Sequence, residues 1–211
     1  MGKRKPSFQA RFEGDPSNLT NPNIPPFTGT GPTISNVVAG MDVNCLIDLK
    51  TVAMHCRNSL YNPKRFPAVI MRIREPKATG LIFAKGKLQV LGCRSVEDAR
   101  LAGRKFARIL QKTGFAGVKL TDFAVQNMVG NADTKMLIRL EGLQRKCALY
   151  AKYEPELFPG MVFSLAEPKM VMLIFAKGKL VFLGAKKEED MREALGKVWP
   201  LLLQFRMSEG E

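Results

Sequence analysis

Two copies of one octapeptide constrain the fold of this chain more than any other feature. The sequence Leu-Ile-Phe-Ala-Lys-Gly-Lys-Leu occurs at 81–88 and again at 173–180, 92 residues later. Each copy places a Lys-Gly-Lys turn between two apolar runs, which predicts a β-hairpin whose glycine takes a positive φ. Further matches occur at nearly the same separation, namely Asn36 with Asn127, Val38 with Val129, Tyr61 with Tyr153, Phe66-Pro67 with Phe158-Pro159, and Glu75-Pro76 with Glu167-Pro168. The chain therefore contains a duplicated domain.

The duplication divides the chain into three segments. Residues 1–33 contain six prolines and four glycines and show little apolar periodicity, so we expect a flexible tail. The first repeat is expected at 34–118 and the second at 119–211, each with antiparallel strands, a short helix and a long closing helix. The elements with predicted bounds are strands at 34–41, 66–74 and 123–129 and helices at 48–57, 140–150 and 188–205, with another helix after Ser95.

Charge favours a polyanionic partner. The chain has 33 basic and 19 acidic residues, a formal net charge of +14. Such a surplus suits an anionic membrane surface or, more commonly, nucleic acid. It is concentrated in the first repeat, which has 15 basic and 5 acidic residues against 14 and 12 in the second. We therefore expect the two repeats to share a framework but not a surface.

The sequence lacks the residues that several classes of protein function require. No stretch approaches the roughly 20 apolar residues that span a bilayer, and the first ten residues lack the apolar core of a signal peptide, which indicates an intracellular protein. The four cysteines form no CxxC pair, and the single His55 cannot complete a zinc site beside Cys56 without distant ligands. No catalytic triad or P-loop motif is present. We expect no enzyme activity, no cofactor and no metal site.

Four phenylalanines occupy matched positions in the repeats. Phe66 and Phe158 each precede a proline, and Phe83 and Phe175 each stand just before the Lys-Gly-Lys turn. Core packing is the usual role of aromatic residues in strands, and the pattern alone leaves that role open. Neighbouring positions differ between the repeats, however, which favours a common task for these four on a shared surface.

A sheet face that is apolar, with basic residues at its rim, suits a widened DNA minor groove. There, apolar side chains lie against sugars and base edges, aromatic wedges open base steps, and amides hydrogen-bond the acceptors. The residues assigned to this face are Asn36, Val38, Leu81 and Leu91 in the first repeat and Asn127, Val129, Leu173, Val181 and Leu183 in the second.

Four motifs occur in both repeats: Asn-x-Val, Tyr-x-Pro-x-x-Phe, Glu-Pro and Leu-Ile-Phe-x-x-Gly-Lys. Together they closely resemble the TATA-box-binding protein family, over about residues 34–206. The resemblance implies an α+β fold in which two quasi-symmetric repeats form a saddle-shaped, curved antiparallel sheet of ten strands, with four helices on its convex face. It also implies a general transcription initiation factor of the nucleus, which binds and bends TATA-like promoter DNA and nucleates the preinitiation complex.

The resemblance also implies roles for individual residues. The two phenylalanines of the first repeat would open base steps at one end of the DNA site, and those of the second repeat at the other end. Asn36 and Asn127 would lie near the centre. Phosphate contacts would come from Arg65, Arg72, Lys77, Lys87 and Arg94 in the first half and from Lys169, Lys179 and Lys186 in the second.

Two further surfaces are expected to bind proteins. Glu156-Leu157 of the second repeat stands where the first repeat has Lys64-Arg65. The resemblance implies that Glu154, Glu156 and Leu157 dock transcription factor IIB or its relatives, and a IIA-type factor is a further expected partner. The helix after Ser95 carries a basic ridge, for which a solvated face is the alternative to a site for acidic partners: Arg100, Arg104, Lys105, Arg108 and Lys112.

Several positions depart from the family pattern. Leu91 and Leu183 stand where the family usually has threonine, Gln89 where it has valine, and Ser164 and Glu167 where it has basic residues. These departures leave base preference open and allow an alternative function, an interaction adaptor or repressor that binds DNA weakly. A repeat-containing enzyme of nucleic-acid metabolism is a third possibility, which the missing catalytic residues disfavour. An exposed apolar face also favours a homodimer through the concave surface without DNA.

Overall fold

The structure is a computed structural model that describes residues 24–207. The chain forms two compact units. The first unit is Ile34–Met128, and the second unit combines the residues from Val129 onward with the segment that precedes Ile34. No helix among the described residues is long and apolar enough to cross a membrane.

Ten strands and four helices make up the described chain. The first seven elements are β1 (Thr30–Asp42), α1 (Leu49–His55), β2 (Ser59–Leu60), β3 (Ala68–Ile73), β4 (Ala78–Phe83), β5 (Lys87–Cys93) and α2 (Val96–Lys112). The other seven are β6 (Thr121–Asp133), α3 (Leu140–Lys146), β7 (Ala151–Lys152), β8 (Gly160–Leu165), β9 (Met170–Phe175), β10 (Lys179–Ala185) and α4 (Glu188–Gln204). The strands are ordered β2-β3-β4-β5-β1-β6-β10-β9-β8-β7, so each half repeats the same connectivity. The α+β architecture with ten antiparallel strands and four helices is confirmed.

The repeated octapeptide forms the predicted hairpin in both units. Gly86 and Gly178 have φ of +86° and +85° at the turns between β4 and β5 and between β9 and β10. Their carbonyls accept hydrogen bonds of 2.9 Å from the backbone N–H groups of Val43 and Thr134. A Cβ at Gly86 would lie only 2.7 Å from the carbonyl oxygen of Cys45. Glycine is therefore required here by the backbone angle and by the close approach of a second loop.

In the first unit, α2 covers one face of the sheet. Ser95 caps α2, with its hydroxyl accepting a 3.0 Å hydrogen bond from the backbone N–H of Asp98. The apolar side chains that α2 turns toward the sheet are buried, apart from a half-exposed Ile109. The ring of Phe106 lies against Gly80 of β4, where a Cβ would come within 2.9 Å of it. Side-chain interdigitation thus fixes α2 on the sheet.

In the second unit, α4 takes the corresponding place. Its apolar stripe of Met191, Leu195, Val198 and Leu202 is buried. The carboxylate of Asp190 accepts a 3.0 Å hydrogen bond from the backbone N–H of Lys187, which stabilises the start of the helix. The helix continues through Pro200.

Three elements differ most from their predicted bounds. β1 begins at Thr30 and not at residue 34, and β6 extends well beyond 123–129 at both ends. Both strands have a neighbour on each side, so ladder hydrogen bonds hold terminal residues that the apolar pattern does not mark. α3 ends at Lys146, before the predicted residue 150, because the chain turns there and the N–H of Tyr150 bonds the carbonyl of Cys147 at 2.8 Å.

Part of the segment expected to be a tail packs on α4. The indole N–H of Trp199 donates a 2.9 Å hydrogen bond to the carbonyl of Pro25. The ring of Phe27 meets the indole edge-on, with centroids 5.0 Å apart. Residues 1–23 of that segment lie outside the described residues.

Candidate nucleic-acid interface

Each unit leaves one sheet face uncovered by its long helix. In β4, the buried Ala78, Gly80 and Ile82 alternate with the half-buried Thr79, Leu81 and Phe83. The buried set faces α2, so the half-buried set lies on the opposite face. β9 in the second unit has the same pattern. We call this second face of each unit its open face.

The open face of the first unit mixes apolar and polar residues. Leu81 is paired with Ile70 of β3 on one side and with Gln89 of β5 on the other. Thr79 is likewise paired with Arg72 and Leu91. Val38 belongs here too, since its neighbours Val37 and Ala39 are fully buried. The predicted residues Val38, Leu81 and Leu91 therefore share one surface.

The open face of the second unit is more apolar. Leu173 pairs with Val162 and Val181, and Val171 pairs with Ser164 and Leu183. Val129 lies on this face, because Met128 and Gly130 beside it are buried. The positions of Arg72, Thr79 and Gln89 are thus occupied by Ser164, Val171 and Val181. The predicted residues Val129, Leu173, Val181 and Leu183 share this surface.

Four phenylalanines form two matched pairs, one on each open face. The ring centroids of Phe66 and Phe83 are 6.1 Å apart, and those of Phe158 and Phe175 are 5.9 Å apart, with interplanar angles of 63° and 66°. Phe66 and Phe158 are 36% and 39% exposed, and their partners are half-buried. None of the four rings lies in the core. The core role that the pattern left open is therefore wrong for all four.

The same local geometry presents both pairs. The backbone N–H groups of Phe66 and Phe158 each bond, at 2.9 Å, the carbonyl of the residue four places earlier, Asn62 or Glu154. Phe175 is in register with Gly160, where a Cβ would lie 2.7 and 2.9 Å from the two rings. Phe83 is in register with Ala68 instead. A tight turn followed by a small strand residue therefore positions each pair of rings on the open face.

Asn36 is held by the backbone. Its side-chain oxygen accepts a 2.8 Å hydrogen bond from the N–H of Gly92, which has φ of +91°. That bond engages the oxygen of the amide, because only the oxygen can accept, and it leaves the NH₂ group to donate to another partner. Asn127 is half-buried at the matched position of the second repeat.

All eight residues predicted to contact phosphates are exposed: Arg65, Arg72, Lys77, Lys87, Arg94, Lys169, Lys179 and Lys186. Lys87 is the one that forms an ion pair, with Nζ 3.1 Å from the carboxylate of Asp42. The backbone N–H of Asn44 and then Lys87 lower the pKa of Asp42. In the second unit, Asp133 pairs at 3.3 Å with Lys135, whose backbone N–H lowers the pKa of Asp133.

The two predicted protein-binding surfaces are exposed, with some internal contacts. On α2, the guanidinium of Arg100 lies 4.1 Å from the ring centre of Phe123, and the ammonium of Lys105 bonds the carbonyl of Glu75. Arg104, Arg108 and Lys112 are exposed along the same helix. Arg100 and Lys105 are thus partly engaged by contacts within the first unit.

The surface predicted in the second unit is also exposed. Leu157 is 81% exposed, Glu156 is exposed, and Glu154 pairs with Lys152 at 3.1 Å.

Four residues of the open faces were not predicted from the sequence. Gln126 is one of them, and its amide meets that of Gln89 on the open face of the first unit. The other three, Ile70, Val162 and Val171, complete the apolar part of the two open faces. Strand alternation could have found these three once the register of β3, β8 and β9 was known. Nothing in the apolar pattern indicates Gln126.

Comparisons with known proteins agree with the duplicated architecture. The family model described as transcription factor TFIID, or TATA-binding protein, matches residues 31–113 and 122–205, one range in each repeat. The chain is 54% identical over 179 residues to the TATA-box-binding protein of Saccharomyces cerevisiae, covering 85% of this chain and 74% of that protein. It is also 54% identical over 179 residues to that of Schizosaccharomyces pombe, covering 85% and 77%. Among solved structures, Methanococcus jannaschii TBP superposes with a TM-score of 0.72 at 36% identity, covering 83% of this chain and 99% of that chain.

Proposed function

Because this chain belongs to the TATA-binding protein family and is a general transcription initiation factor, we propose that its open faces bind the minor groove of TATA-like DNA and bend it. The observation that carries this proposal is the pair of phenylalanines on each open face, with closely matched separations of 6.1 and 5.9 Å. Aromatic rings exposed beside an apolar sheet face are retained where a partner covers them.

The phenylalanines act as wedges. A ring that enters between two base pairs unstacks that step and kinks the duplex. The unstacking costs a few kcal/mol per step. The TATA-binding protein family is itself a well-known example of this binding mode. The widened groove then contacts more of the apolar face, which offsets the unstacking. Phe66 and Phe83 would open one step, and Phe158 and Phe175 another.

Base edges are read by the amides and the apolar strip. A·T pairs present only acceptors in the minor groove, and the amide NH₂ of Asn36 is oriented to donate to such an acceptor. Leu81, Leu91, Leu173 and Leu183 offer no hydrogen-bonding group, so they contact sugars and base edges by apolar packing alone. Discrimination near the leucines therefore depends on shape more than on hydrogen bonds.

The basic rim holds the phosphates. Each phosphate contact releases counterions, so the logarithm of the binding constant falls by about 0.9 per contact for each tenfold rise in salt. Apolar burial is not affected in this way, so a substantial part of the affinity remains at high salt.

The test combines affinity and bending measured on a TATA duplex and on a G·C-rich duplex of equal length. The protein is expected to bind and bend the TATA duplex, and Phe83→Ala or Phe175→Ala is expected to reduce the bend far more than the salt slope. Leu101→Ala is the control, because Leu101 is 45% exposed on α2, which covers the other face of the sheet. A wild-type protein that binds both duplexes equally, without a bend, would refute the proposal.

A second candidate function is an interaction adaptor or repressor with weak DNA binding. The observation that favours it is the loss of charge on the open face of the second unit, where Ser164 replaces Arg72. The same assay separates the candidates, since an adaptor would not bend the TATA duplex at micromolar protein.

Protein partners follow from the proposed promoter role. We assign Glu154, Glu156 and Leu157 to a IIB-type factor and the basic ridge of α2 to an acidic partner, with a IIA-type factor as a further partner. Without DNA, two copies of the chain would bury their apolar open faces against each other. The site of action proposed for the protein is the nucleus.

A further inference from the structure

Two glutamines form an amide bridge over the open face of the first unit. Gln89 lies on β5 and Gln126 on β6, and β1 runs between these strands. The Nε2 of Gln89 donates to the Oε1 of Gln126 at 3.1 Å. The β1 residue in register with Gln89 is Gly40. The bridge therefore spans one whole strand at the point where that strand has no side chain.

Gly40 makes room for the bridge. A Cβ at this position would overlap the amide of Gln126, and the backbone of Gly40 has no positive φ that would otherwise require glycine. The two glutamines line a groove of about 630 Å³, and Pro67 and Phe83 line the same groove. The two glutamines thus line the same groove as a ring that we assign as a wedge.

An amide bridge of this kind presents one acceptor and one donor to a ligand. Whichever glutamine donates within the bridge, one carbonyl oxygen and one NH₂ group remain for other partners. An A·T pair shows only acceptors in the minor groove, whereas a G·C pair adds the N2 amine of guanine, the one donor there. The chemistry of the bridge thus matches a G·C pair.

We propose that Gln89 and Gln126 form a subsite for the guanine N2 amine, so that one base pair in the half-site bound by the first unit can be G·C. This inference rests on the proposed binding of the minor groove. The second unit has no such subsite, because Val181 stands at the position of Gln89 and Asn131 at that of Gly40. The subsite would therefore favour one orientation of the protein on an otherwise symmetric site.

The test isolates the amine from all other properties of the base pair. Each adenine of a TATA duplex is replaced in turn by 2,6-diaminopurine, which adds only the minor-groove amine, and each A·T pair in turn by G·C or by hypoxanthine·C, which lacks that amine. Dissociation constants are measured for the wild type, Gln89→Val and the matched control Val181→Gln.

The wild type is expected to tolerate the amine at one position, where Gln89→Val binds the diaminopurine duplex on the order of tenfold more weakly and the unmodified duplex equally well. Val181→Gln has the side chain of Asn131 where the first unit has Gly40, so no bridge across that strand has room to form, and the variant is expected to gain no such tolerance. Equal tolerance in the wild type and Gln89→Val at every position would overturn the subsite alone. If the wild type binds none of these duplexes, both the subsite and the proposed function are wrong.

Discussion

The two repeats keep the same phenylalanine pairs and differ at several positions of the open faces around them. Both hold a phenylalanine pair at about 6 Å, on the same turn and the same hairpin. The first open face adds Arg72 and the Gln89–Gln126 bridge, whereas the second offers serine and valine at the matched positions. The shared residues are those that the proposed bending requires, and the differing residues can give the protein a direction on DNA.

The same contrast recurs in one ion pair. Asp42 pairs with Lys87, a predicted phosphate ligand, while the matched Asp133 pairs with Lys135 and not with Lys179. Both aspartates also accept a hydrogen bond from the backbone N–H two residues later. The local turn is thus conserved between the repeats, although the lysine that completes it comes from a different place.

Removal of one phenylalanine pair at a time tests the comparison most severely. Phe158→Ala/Phe175→Ala and Phe66→Ala/Phe83→Ala are each expected to cost about 3 kcal/mol of DNA affinity, since large buried aromatics dominate binding energies. The loss is expected to be greater in the second unit, whose open face has no arginine to hold the duplex. Titration at two salt concentrations measures both losses. Equal losses at every salt concentration would show that the charge difference has no effect.

Alanine at the hairpin glycines tests whether the shared framework is under the same constraint in both units. In Gly86→Ala and Gly178→Ala the new residue must adopt a positive φ, and its Cβ would overlap a backbone carbonyl. Each substitution is therefore expected to lower the free energy of unfolding by about 2 kcal/mol. Gly92→Ala is the matched control, because its φ is +91° but no atom lies within 4 Å of the added Cβ. It is expected to cost about 1 kcal/mol. Urea unfolding measures all three, and an equal cost for the control would remove the role of the loop contact.

Charge reversal in the end loops tests whether the repeats meet different proteins. Glu154→Arg/Glu156→Arg is expected to weaken a IIB-type ternary complex at least tenfold on promoter DNA and to change binary DNA affinity by no more than about twofold. The lost Lys152 ion pair contributes little, because both groups are exposed. Lys64→Glu/Arg65→Glu is expected to do the reverse. Mobility-shift titrations with and without the partner separate the two effects, and normal ternary binding by the first variant would contradict the assignment.

Threonine at the two central leucines is expected to have the smallest effect. Leu91→Thr/Leu183→Thr adds a hydroxyl that can donate to adenine N3 or thymine O2, so preference for A·T near the centre is expected to sharpen by a few-fold. Both side chains are half-buried on the open faces, so folding should be unaffected. Selection from random duplexes gives the measurement. Identical selected sequences for the variant and the wild type would show that the leucines do not control base choice.

Much of the fold could be predicted because the sequence contains two copies of the same domain. Residues matched between the repeats identified the hairpins and the phenylalanine pairs, and apolar residues at helical spacing identified both long helices, without any knowledge of strand register. The ends of β1 and β6 could not be predicted, since ladder pairing and not hydrophobicity holds them. Gln126 could not be predicted for a similar reason. Its hydrogen bond needs Gln89 as the partner and Gly40 for room, and these residues are distant in sequence and come together only across three strands.

The number of base steps that each complex opens tests the proposed wedges most directly. Thymines in unstacked steps react with permanganate, so the extent of oxidation in a saturated TATA complex reports the number of opened steps. Two opened steps are expected for the wild type, one for either double phenylalanine variant, and none for the quadruple variant Phe66→Ala/Phe83→Ala/Phe158→Ala/Phe175→Ala. A wild-type complex without reactive thymines, or a double variant that loses both steps together, would contradict two independent wedges.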